Sequence, residues 1–491
     1  MTRRHTIDVL TATASDLRKL LDSGEVSSVE LVGLYLGQIA RHNKQGLMLN
    51  AMISTASANR VLEEARMLDS ERAQKGPRPK LHGIPIILKD VICTPNFGLE
   101  TTAGSLALKG LNATEDAPIA TLLREAGCIV IGKSNLSEWA NSRGFGVTSG
   151  WSAAGGQTQS PYVKGGADPE DRWLGHSTPA GSSSGSAVAI AAGFAPLTIG
   201  TEANGSIVQP AIRAAAYGLK GTVGDMIMKG TQSGGAAFDS AGPIAKSAED
   251  CAAVMDILLP GRDFRSHLTK SWDGIRIAYL DYKTWQLPDS MCEKTPAFDT
   301  QHELEMLRAL EKIESLGAQV TYNARLMSLP EIIKKYKTVT MREIRRHQLA
   351  FVIPRFLGLF NNPQLRTLQD QVRFNKEHAA EELPPEQPSH GLAHLRQSVR
   401  HAVQLCLEES NADVIMASGE TLLPSTAACA GYPIGSVPLG FSFFNGRPFG
   451  MEIMARNGEE ERIFQVMSAW EATFPKARQP PPLLVNWDAN L

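Results

Sequence analysis

Residues 180–206 read AGSSSGSAVAIAAGFAPLTIGTEANGS, and this stretch is the most informative part of the chain for the fold. A Gly–Ser loop leads into a small-residue helix predicted at 186–192, which is followed by a short strand predicted at 197–199. A second Gly–Ser loop then ends at Ser206. Loops that run into helices present free backbone N–H groups, which bind negative charge. Two such loops in one chain can build a nucleophile and an oxyanion hole side by side.

Outside this stretch, apolar runs alternate with amphipathic segments. The apolar runs predict strands at 84–88, 128–131, 275–280, 320–322, 414–417 and 451–454. Helices are predicted behind N-caps at Thr13, Ser27 and Asp116, and at 61–68, 303–316, 368–382 and 459–472. The prolines at 480–482 are expected to end the fold, and 381–391 is expected to be a surface loop. This alternation predicts an α/β protein, one large domain with a mixed β-sheet core covered by helices.

The composition is that of an ordinary globular protein without a strong charge. Of 491 residues, 43% are hydrophobic and 20% are charged, and the formal net charge is −2. This nearly neutral charge predicts neither a basic surface for nucleic-acid binding nor a polybasic patch for a membrane surface. The sequence contains no run long enough for a membrane span, and its first residues do not resemble a secretory signal. Six scattered cysteines without a C-x-x-C pair indicate free thiols, so we expect a cytoplasmic protein.

A lysine follows the strand predicted at 84–88, in the run Gly-Ile-Pro-Ile-Ile-Leu-Lys-Asp that ends at Lys89 and Asp90. This position is where the core meets a loop. Considered alone, the residue has two ordinary interpretations, because lysines are mostly exposed and because Asp90 offers an adjacent ion-pair partner.

Several ordered motifs resemble those of the amidase-signature family. GSSSGSA at 181–187 and GTEANGSI at 200–207 are similar to its signature stretch, and Ser182 and Ser206 have its spacing of 24 positions. Further similar segments are LHGIPIILKD at 81–90, TTAGS at 101–105, GKSNLSEW at 132–139, GLK at 218–220, SAGP at 240–243, AGYP at 430–433 and GRPFG at 446–450. The resemblance runs from about residue 10 to 475. SGWSAAGGQT at 149–158 and FNKEH at 374–378 are closest to the peptide-amidase branch.

The resemblance implies a catalytic triad. Ser206 would be the nucleophile, Ser182 would bridge through a cis peptide bond, and Lys89 would be the base. A serine hydroxyl is a weak nucleophile until a neighbouring group takes its proton, and lysine can take it only when neutral. Work near pH 7–8 therefore requires the pKa of Lys89 to fall by roughly three units, a shift that burial can supply.

The resemblance also implies the rest of the site. The oxyanion hole would consist of the backbone N–H groups of Ala203, Asn204, Gly205 and Ser206, and the substrate would contact Gly181 and Ser183. Neither a metal nor a cofactor is expected. The single amidase-signature domain, 1–491, would comprise an N-terminal helical layer at 1–75, a catalytic core at 80–260, and a half at 270–475 that forms the substrate pocket and completes the sheet.

Three short motifs suggest other chemistries. GSSSG at 181–185 fits the nucleophile elbow of α/β-hydrolases, but no buried strand is predicted before it. GCIVIGKS at 127–134 has the letters of a phosphate loop, yet its middle residues are predicted to be the strand itself. His390 and His394 have the spacing of a zinc pair without the accompanying glutamate or a third ligand, so solvated histidines are predicted.

The predicted activity is hydrolysis of a carboxamide through a covalent acyl-enzyme. The substrate would be a C-terminal peptide amide or a small or aryl amide. Asn204, Gly221, Asp225 and the long stretch 157–178 depart from the family pattern and leave its identity open. The alternatives are a biosynthetic acyltransferase that uses the same acyl-enzyme and a non-catalytic ligand-binding member. No nucleic-acid or membrane partner is expected, and the oligomeric state, including a homodimer, is left open.

Overall fold

A mixed β-sheet forms the centre of the molecule. The computed structural model describes residues 7–78, 80–142, 148–362, 365–378 and 392–488. Within these residues, eleven strands make one sheet and two make a separate hairpin. The strands are β1 Met52–Thr55, β2 Pro85–Lys89, β3 Ile129–Ser134, β4 Trp151–Ser152, β5 Gly156–Gln157, β6 Leu197–Glu202, β7 Tyr217–Lys220, β8 Ser240–Ala245, β9 Arg276–Tyr279, β10 Gln319–Thr321, β11 Val414–Ser418, β12 Ile434–Phe441 and β13 Pro448–Met454.

Helices cover this sheet, which confirms the predicted fold class. They are α1 Ala14–Ser23, α2 Ser28–His42, α3 Ala58–Lys75, α4 Pro118–Glu125, α5 Ser184–Ala191, α6 Val208–Arg213, α7 Ala248–Leu258, α8 Tyr282–Trp285, α9 Pro296–Glu314, α10 Leu329–Tyr336, α11 Met341–Leu357, α12 Leu368–Glu377, α13 Leu392–Glu409, α14 Leu423–Ala430, α15 Glu460–Thr473 and α16 Pro482–Asp488. No helix in the described ranges is both long enough and apolar enough to span a lipid bilayer.

The predicted helix starts are partly right. Thr13 and Ser27 cap α1 and α2, each accepting a hydrogen bond from a backbone N–H in the first turn. Asp116 is not a cap, because α4 begins at Pro118, whose fixed φ suits the first helical position. The side chain of Asp116 accepts instead from the backbone N–H of Asn96 at 3.0 Å.

The sheet order brings the two most important strands together. Along the sheet the strands run β1-β3-β2-β6-β8-β7-β12-β13-β11-β9-β10. The neighbours β2 and β6 are parallel, with Leu88 opposite Ile199. Parallel neighbours end at the same edge of a sheet, and ligands of α/β proteins bind beyond that carboxyl edge. Lys89 ends β2 and Glu202 ends β6, so both Gly–Ser loops and the lysine converge there.

Small residues allow α5 to lie close against the sheet. All eight of its residues are buried, and it contacts β2, β3, β6 and β8. A Cβ on Gly185 would lie 2.6 Å from the backbone oxygen of Ala51 and from the backbone nitrogen of Asn135, so only glycine fits there. The Ala- and Ser-rich composition therefore holds the first Gly–Ser loop directly over the edge of the sheet.

Candidate active site

Lys89 is completely buried at the end of β2. Its Nζ lies 2.7 Å from Ser182 Oγ, 2.9 Å from Ser183 Oγ and 3.1 Å from the carbonyl oxygen of Thr201. Oxygen atoms of both Gly–Ser regions thus enclose the lysine, which has the burial expected from the family resemblance and not the exposure usual for a lysine considered alone.

The environment changes the protonation of this amine. Burial lowers the pKa of Lys89 to about 7, because the ammonium form has lost its hydration. The negative charges of Asp239 and Glu202 act in the opposite direction without cancelling the effect. A large fraction of Lys89 is therefore neutral near pH 7 and can accept a proton.

Asp90 does not pair with Lys89. Its Oδ1 lies 3.2 Å from Lys133 Nζ, and both side chains are fully buried. Asp90 also accepts a hydrogen bond from the backbone N–H of Thr102 at 3.0 Å, while Lys133 donates to the carbonyl of Ile92 at 2.7 Å. The suggested ion pair between neighbours is therefore wrong. Lys133 is a strand residue in a buried ion pair, not the lysine of a phosphate loop.

The first Gly–Ser loop packs directly on the second. Gly181 has φ of 53°, and a Cβ there would lie 2.9 Å from Pro210 Cγ and 3.1 Å from the carbonyl oxygen of Gly205. The carbonyl of Ser182 accepts a hydrogen bond from the backbone N–H of Ser137 at 3.1 Å. Glycine at 181 is required by both the backbone angle and the close approach.

Ser206 lies in the second loop, with 7% of its surface exposed. Its carbonyl accepts a hydrogen bond from the backbone N–H of Ser183 at 3.0 Å, which joins the two loops. Glu202 Oε2 accepts from the backbone N–H groups of Ile207 at 2.6 Å and Val208 at 3.0 Å. These bonds fold the loop back over the end of β6, and so fix Ser206 beside Ser182 and Ser183.

The expected cis peptide bond at Ser182 is absent, since every peptide bond in the described ranges is trans. A non-proline cis bond costs about 3 kcal/mol, and the loop brings Ser182 to Lys89 without it. In the described part of the chain, no hydrogen bond joins the hydroxyls of Ser182 and Ser206. Such catalytic hydrogen bonds often tighten only once a substrate is bound.

The loop of the predicted oxyanion hole is held by hydrogen bonds to its carbonyl and side-chain oxygens, which leave its backbone N–H groups without an acceptor in the described residues. The carbonyl of Ala203 accepts a hydrogen bond from Lys220 Nζ at 3.1 Å, and Asn204 Oδ1 accepts from Ser425 Oγ at 3.1 Å. Within the described residues, the backbone N–H groups from Ala203 to Ser206 donate to no protein acceptor. They remain available to an oxygen that develops negative charge.

The two residues predicted to contact substrate are both buried. Ser183 donates from its hydroxyl to the carbonyl of Thr201 at 3.1 Å, and that hydroxyl also lies beside Lys89. Gly181 lies beneath Pro210. Their contact with substrate stays a prediction. The position of Ser183 at the lysine was missed because the family spacing marks only Ser182 and Ser206.

Glu202 and Glu452 were also missed by sequence reasoning. Burial raises the pKa of Glu452 well above its usual value, and Thr421 donates to its Oε2 at 3.0 Å. The Oε1 atoms of Glu202 and Glu452 have no partner within the described residues. The Gly-Thr-Glu motif could have pointed to Glu202, whereas nothing in the sequence around Glu452 marks it.

The competing motifs lack their structural context. Residues 168–181 contain no strand, so the strand that a nucleophile elbow requires before Gly181 is missing. Residues 129–134 of the apparent phosphate loop are β3 itself. His390 and the side chain of His394 lie outside the described residues. Among the described residues, no three His, Cys, Asp or Glu side chains are grouped to hold a metal ion.

Comparison with known proteins gives matches along most of the chain. Residues 30–418 match the Amidase family. A probable amidase of Arabidopsis thaliana is 30% identical over 500 aligned positions, which cover 97% of this chain and 92% of the relative. One component of the glutamyl-tRNA(Gln) amidotransferase of Symbiobacterium thermophilum is 38% identical over 347 positions, covering 69% of this chain and 65% of the relative.

A solved structure has the same fold along almost its entire length. The native peptide amidase of Stenotrophomonas maltophilia superposes with a TM-score of 0.82 and 32% sequence identity. The match covers 96% of this chain and 98% of that protein. This similarity supports the peptide-amidase branch that the segments 149–158 and 374–378 indicated.

Proposed function

Since the chain belongs to the amidase family, whose members hydrolyse carbon–nitrogen bonds in amides, we propose that it cleaves a carboxamide through Lys89, Ser182 and Ser206. The observation that carries this proposal is the distance of 2.7 Å between Lys89 Nζ and Ser182 Oγ in a buried site. The lowered pKa of Lys89 supports it, because it makes the amine a base near neutral pH.

The first half of the reaction forms a tetrahedral intermediate. Neutral Lys89 accepts the proton of Ser182, and Ser182 accepts the proton of Ser206. Ser206 Oγ then attacks the amide carbonyl carbon. The carbonyl oxygen gains negative charge, and the N–H groups from Ala203 to Ser206 stabilise it. In other enzymes, the loss of one such donor costs roughly 3–4 kcal/mol of transition-state stabilisation.

The second half releases both products. The proton held by Lys89 passes through Ser182 to the leaving nitrogen as the carbon–nitrogen bond breaks. Water then attacks the acyl-enzyme and gives up a proton to Lys89 by the same route. The ester bond to Ser206 breaks, the serine oxygen is protonated again, and the carboxylic acid leaves.

The proposed substrate is a peptide with a C-terminal amide. The similarity to a peptide amidase at 32% identity and the segments 149–158 and 374–378 support this class. A small or aryl amide is the second substrate class. The stretch 157–178 and Asn204 depart from the family pattern and leave the choice between these substrate classes to experiment.

Acyl transfer is the second candidate function. The resemblance to a component of an amidotransferase favours it, since an acyl-enzyme can pass its acyl group to an amine instead of water. Mass spectrometry of the products, with and without an added amine, separates the two reactions. A product that carries the added amine indicates transfer, and a free acid alone indicates hydrolysis.

A serine-reactive fluorophosphonate probe tests for catalysis itself. We expect one modified residue, Ser206, identified by peptide mass spectrometry, and no labelling of the Ser206→Ala variant. A screen of peptide amides, aryl amides and short aliphatic amides, with that variant as the blank, then identifies the substrate class. Absence of labelling in the wild type, or equal labelling of Ser206→Ala, would contradict the proposed function and favour a binding protein.

A further inference from the structure

Arg345 lies half-buried in the second turn of α11, with its guanidinium against loop 231–239. Its Nε donates to the carbonyl of Gly234 at 2.9 Å. A Cβ on Gly234 would lie 3.1 Å from a terminal nitrogen of Arg345 and 3.3 Å from Ser142 Oγ. The guanidinium therefore contacts loop 231–239 and lies near Ser142, the last residue of segment 137–142.

Both of these segments lead to the proposed catalytic groups. In loop 231–239, the backbone N–H of Gln232 donates to the carbonyl of Val91 at 2.9 Å, two residues beyond the end of β2. In segment 137–142, the backbone N–H of Ser137 donates to the carbonyl of Ser182 at 3.1 Å. Arg345 thus lies next to two segments, one hydrogen-bonded close to Lys89 and the other hydrogen-bonded to the serine loop.

The charge of Arg345 is not neutralised by a direct ion pair within the described residues. Asp239 is the carboxylate that acts on it electrostatically, and burial lowers the pKa of Arg345 against that attraction. Asp239 Oδ2 accepts instead from the hydroxyl of Ser233 and from the backbone N–H of Gly235, the latter at 3.2 Å. Only the Nε of Arg345 has a hydrogen-bond acceptor in the described part of the chain.

Two fully buried arginines elsewhere in the fold are paired with a carboxylate, as buried arginines usually are. Arg213 and Arg447 lie 3.0 Å and 2.6 Å from the carboxylate of Glu420. Buried charges are normally paired, because desolvation without a partner is costly. The terminal N–H groups of a guanidinium match a carboxylate with two parallel hydrogen bonds. Arg345 has this recognition surface, yet no carboxylate of the described residues occupies it.

We propose that Arg345 binds a carboxylate group of the substrate, so that this site prefers anionic amides. The inference rests on the proposed function, because it names the class of substrate for the same site. The carboxylate can belong to the acyl part or to the amine part of the amide, and the recognition chemistry is the same for both.

Two matched pairs of anilides test this proposal. Succinic acid monoanilide and butyric anilide differ by a carboxylate on the acyl part, whereas 4-acetamidobenzoate and acetanilide differ by one on the amine part. We expect the wild type to prefer the anion in at least one pair, by about ten-fold or more in kcat/KM. Arg345→Met should lower kcat/KM for the anion to the level of its neutral partner and so abolish the preference, and Arg345→Lys should restore part of it. Arg355→Met, on the exposed last turn of α11, is the matched control.

Binding separates this proposal from the proposed function. Calorimetric titration of the same anilides into the Ser206→Ala protein, with and without Arg345→Met, requires no turnover. Arg345-dependent binding of an anion supports the proposal, even where the fluorophosphonate probe does not label the wild type, a result that counts against the proposed function alone. A preference that survives Arg345→Met, or no preference in either pair in binding and turnover, overturns it.

Discussion

Lys89 Nζ and Ser182 Oγ are 2.7 Å apart, although 93 positions separate the two residues in the chain. The contact arises because β2 and β6 are parallel neighbours and α5 packs against both of them. Both side chains are fully buried. The base and the bridging hydroxyl therefore share one dry site, and the protonation state of Lys89 controls the hydrogen bond between them.

Replacement of Lys89 by Met removes the base and keeps the length of the side chain. We expect kcat to fall by about 10²–10⁴-fold, the usual contribution of a general base. Stability should be equal or higher, since an apolar group replaces a buried amine. Steady-state hydrolysis and urea unfolding measure the two effects.

Lys133→Met is the control for that variant, because Lys133 is also a fully buried lysine at this edge of the sheet. Its removal leaves the buried carboxylate of Asp90 without its ion-pair partner. We expect a loss of about 3–5 kcal/mol in the free energy of unfolding. Equal changes in stability for the two lysine variants would contradict the distinct roles given to them.

Gly181→Ala should separate the two Gly–Ser loops. The new Cβ would lie 3.1 Å from the carbonyl oxygen of Gly205, and the φ of 53° is unfavourable for alanine. Gly165→Ala has a comparable backbone strain at φ of 94° but open space around it. We expect both variants to lose about 1 kcal/mol of stability from backbone strain, with a further loss in Gly181→Ala from the overlap with Pro210 and with kcat reduced only in that variant. A matching loss of kcat in Gly165→Ala would argue against loop contact as the cause.

Glu420 holds a buried cluster that ties segment 157–178 to the sheet. Its carboxylate accepts from Arg213 and Arg447, and Arg213 also donates to the carbonyl of Leu174 at 2.7 Å. Glu420→Gln leaves two buried guanidiniums without a counter-charge, so we expect a loss of about 3–5 kcal/mol in urea unfolding. The nearby, exposed Glu293→Gln should change stability by less than about 0.5 kcal/mol.

Stability should depend on pH through Lys89. Its pKa is about 7 in the folded protein, against an ordinary value of 10.5. Between these values the unfolded chain binds one more proton than the folded chain, so stability rises with pH from about 7 to 10.5. The free-energy difference between wild type and Lys89→Met should therefore shift in favour of the wild type by about 1.4 kcal/mol per pH unit over this range. A difference that is constant with pH would mean that the lysine remains charged.

The sequence predicted the parts of the fold where apolar runs have clear ends. The strand predicted at 84–88 is β2, and that at 414–417 is β11. β8 and β12 were missed, because SAGPIA and IGSVPLGF contain Gly, Pro and Ser within buried strands and show no alternation. The prolines at 480–482 do not end the fold, since Pro482 begins α16, where a proline is well tolerated. The predicted loop 381–391 lies outside the described residues.

At the site, motif spacing brought Lys89, Ser182 and Ser206 to attention, because these lie in segments of recognisable sequence. Their catalytic roles stay predictions. Arg345 could not be found in this way. It is notable because no carboxylate of the described residues pairs with its guanidinium, and only the folded structure shows which groups lie close enough to pair. Glu452 likewise lies in an ordinary strand, and only its burial makes it unusual.

The rate of fluorophosphonate labelling at Ser206, measured between pH 5 and 9 in wild type and in Lys89→Met, tests the central claim most directly. In the wild type, we predict a rate that rises with pH to a plateau, with a midpoint near the Lys89 pKa of about 7. In Lys89→Met, labelling should be slow and should lose that midpoint. The same pH profile in both proteins would contradict the assignment of Lys89 as the base.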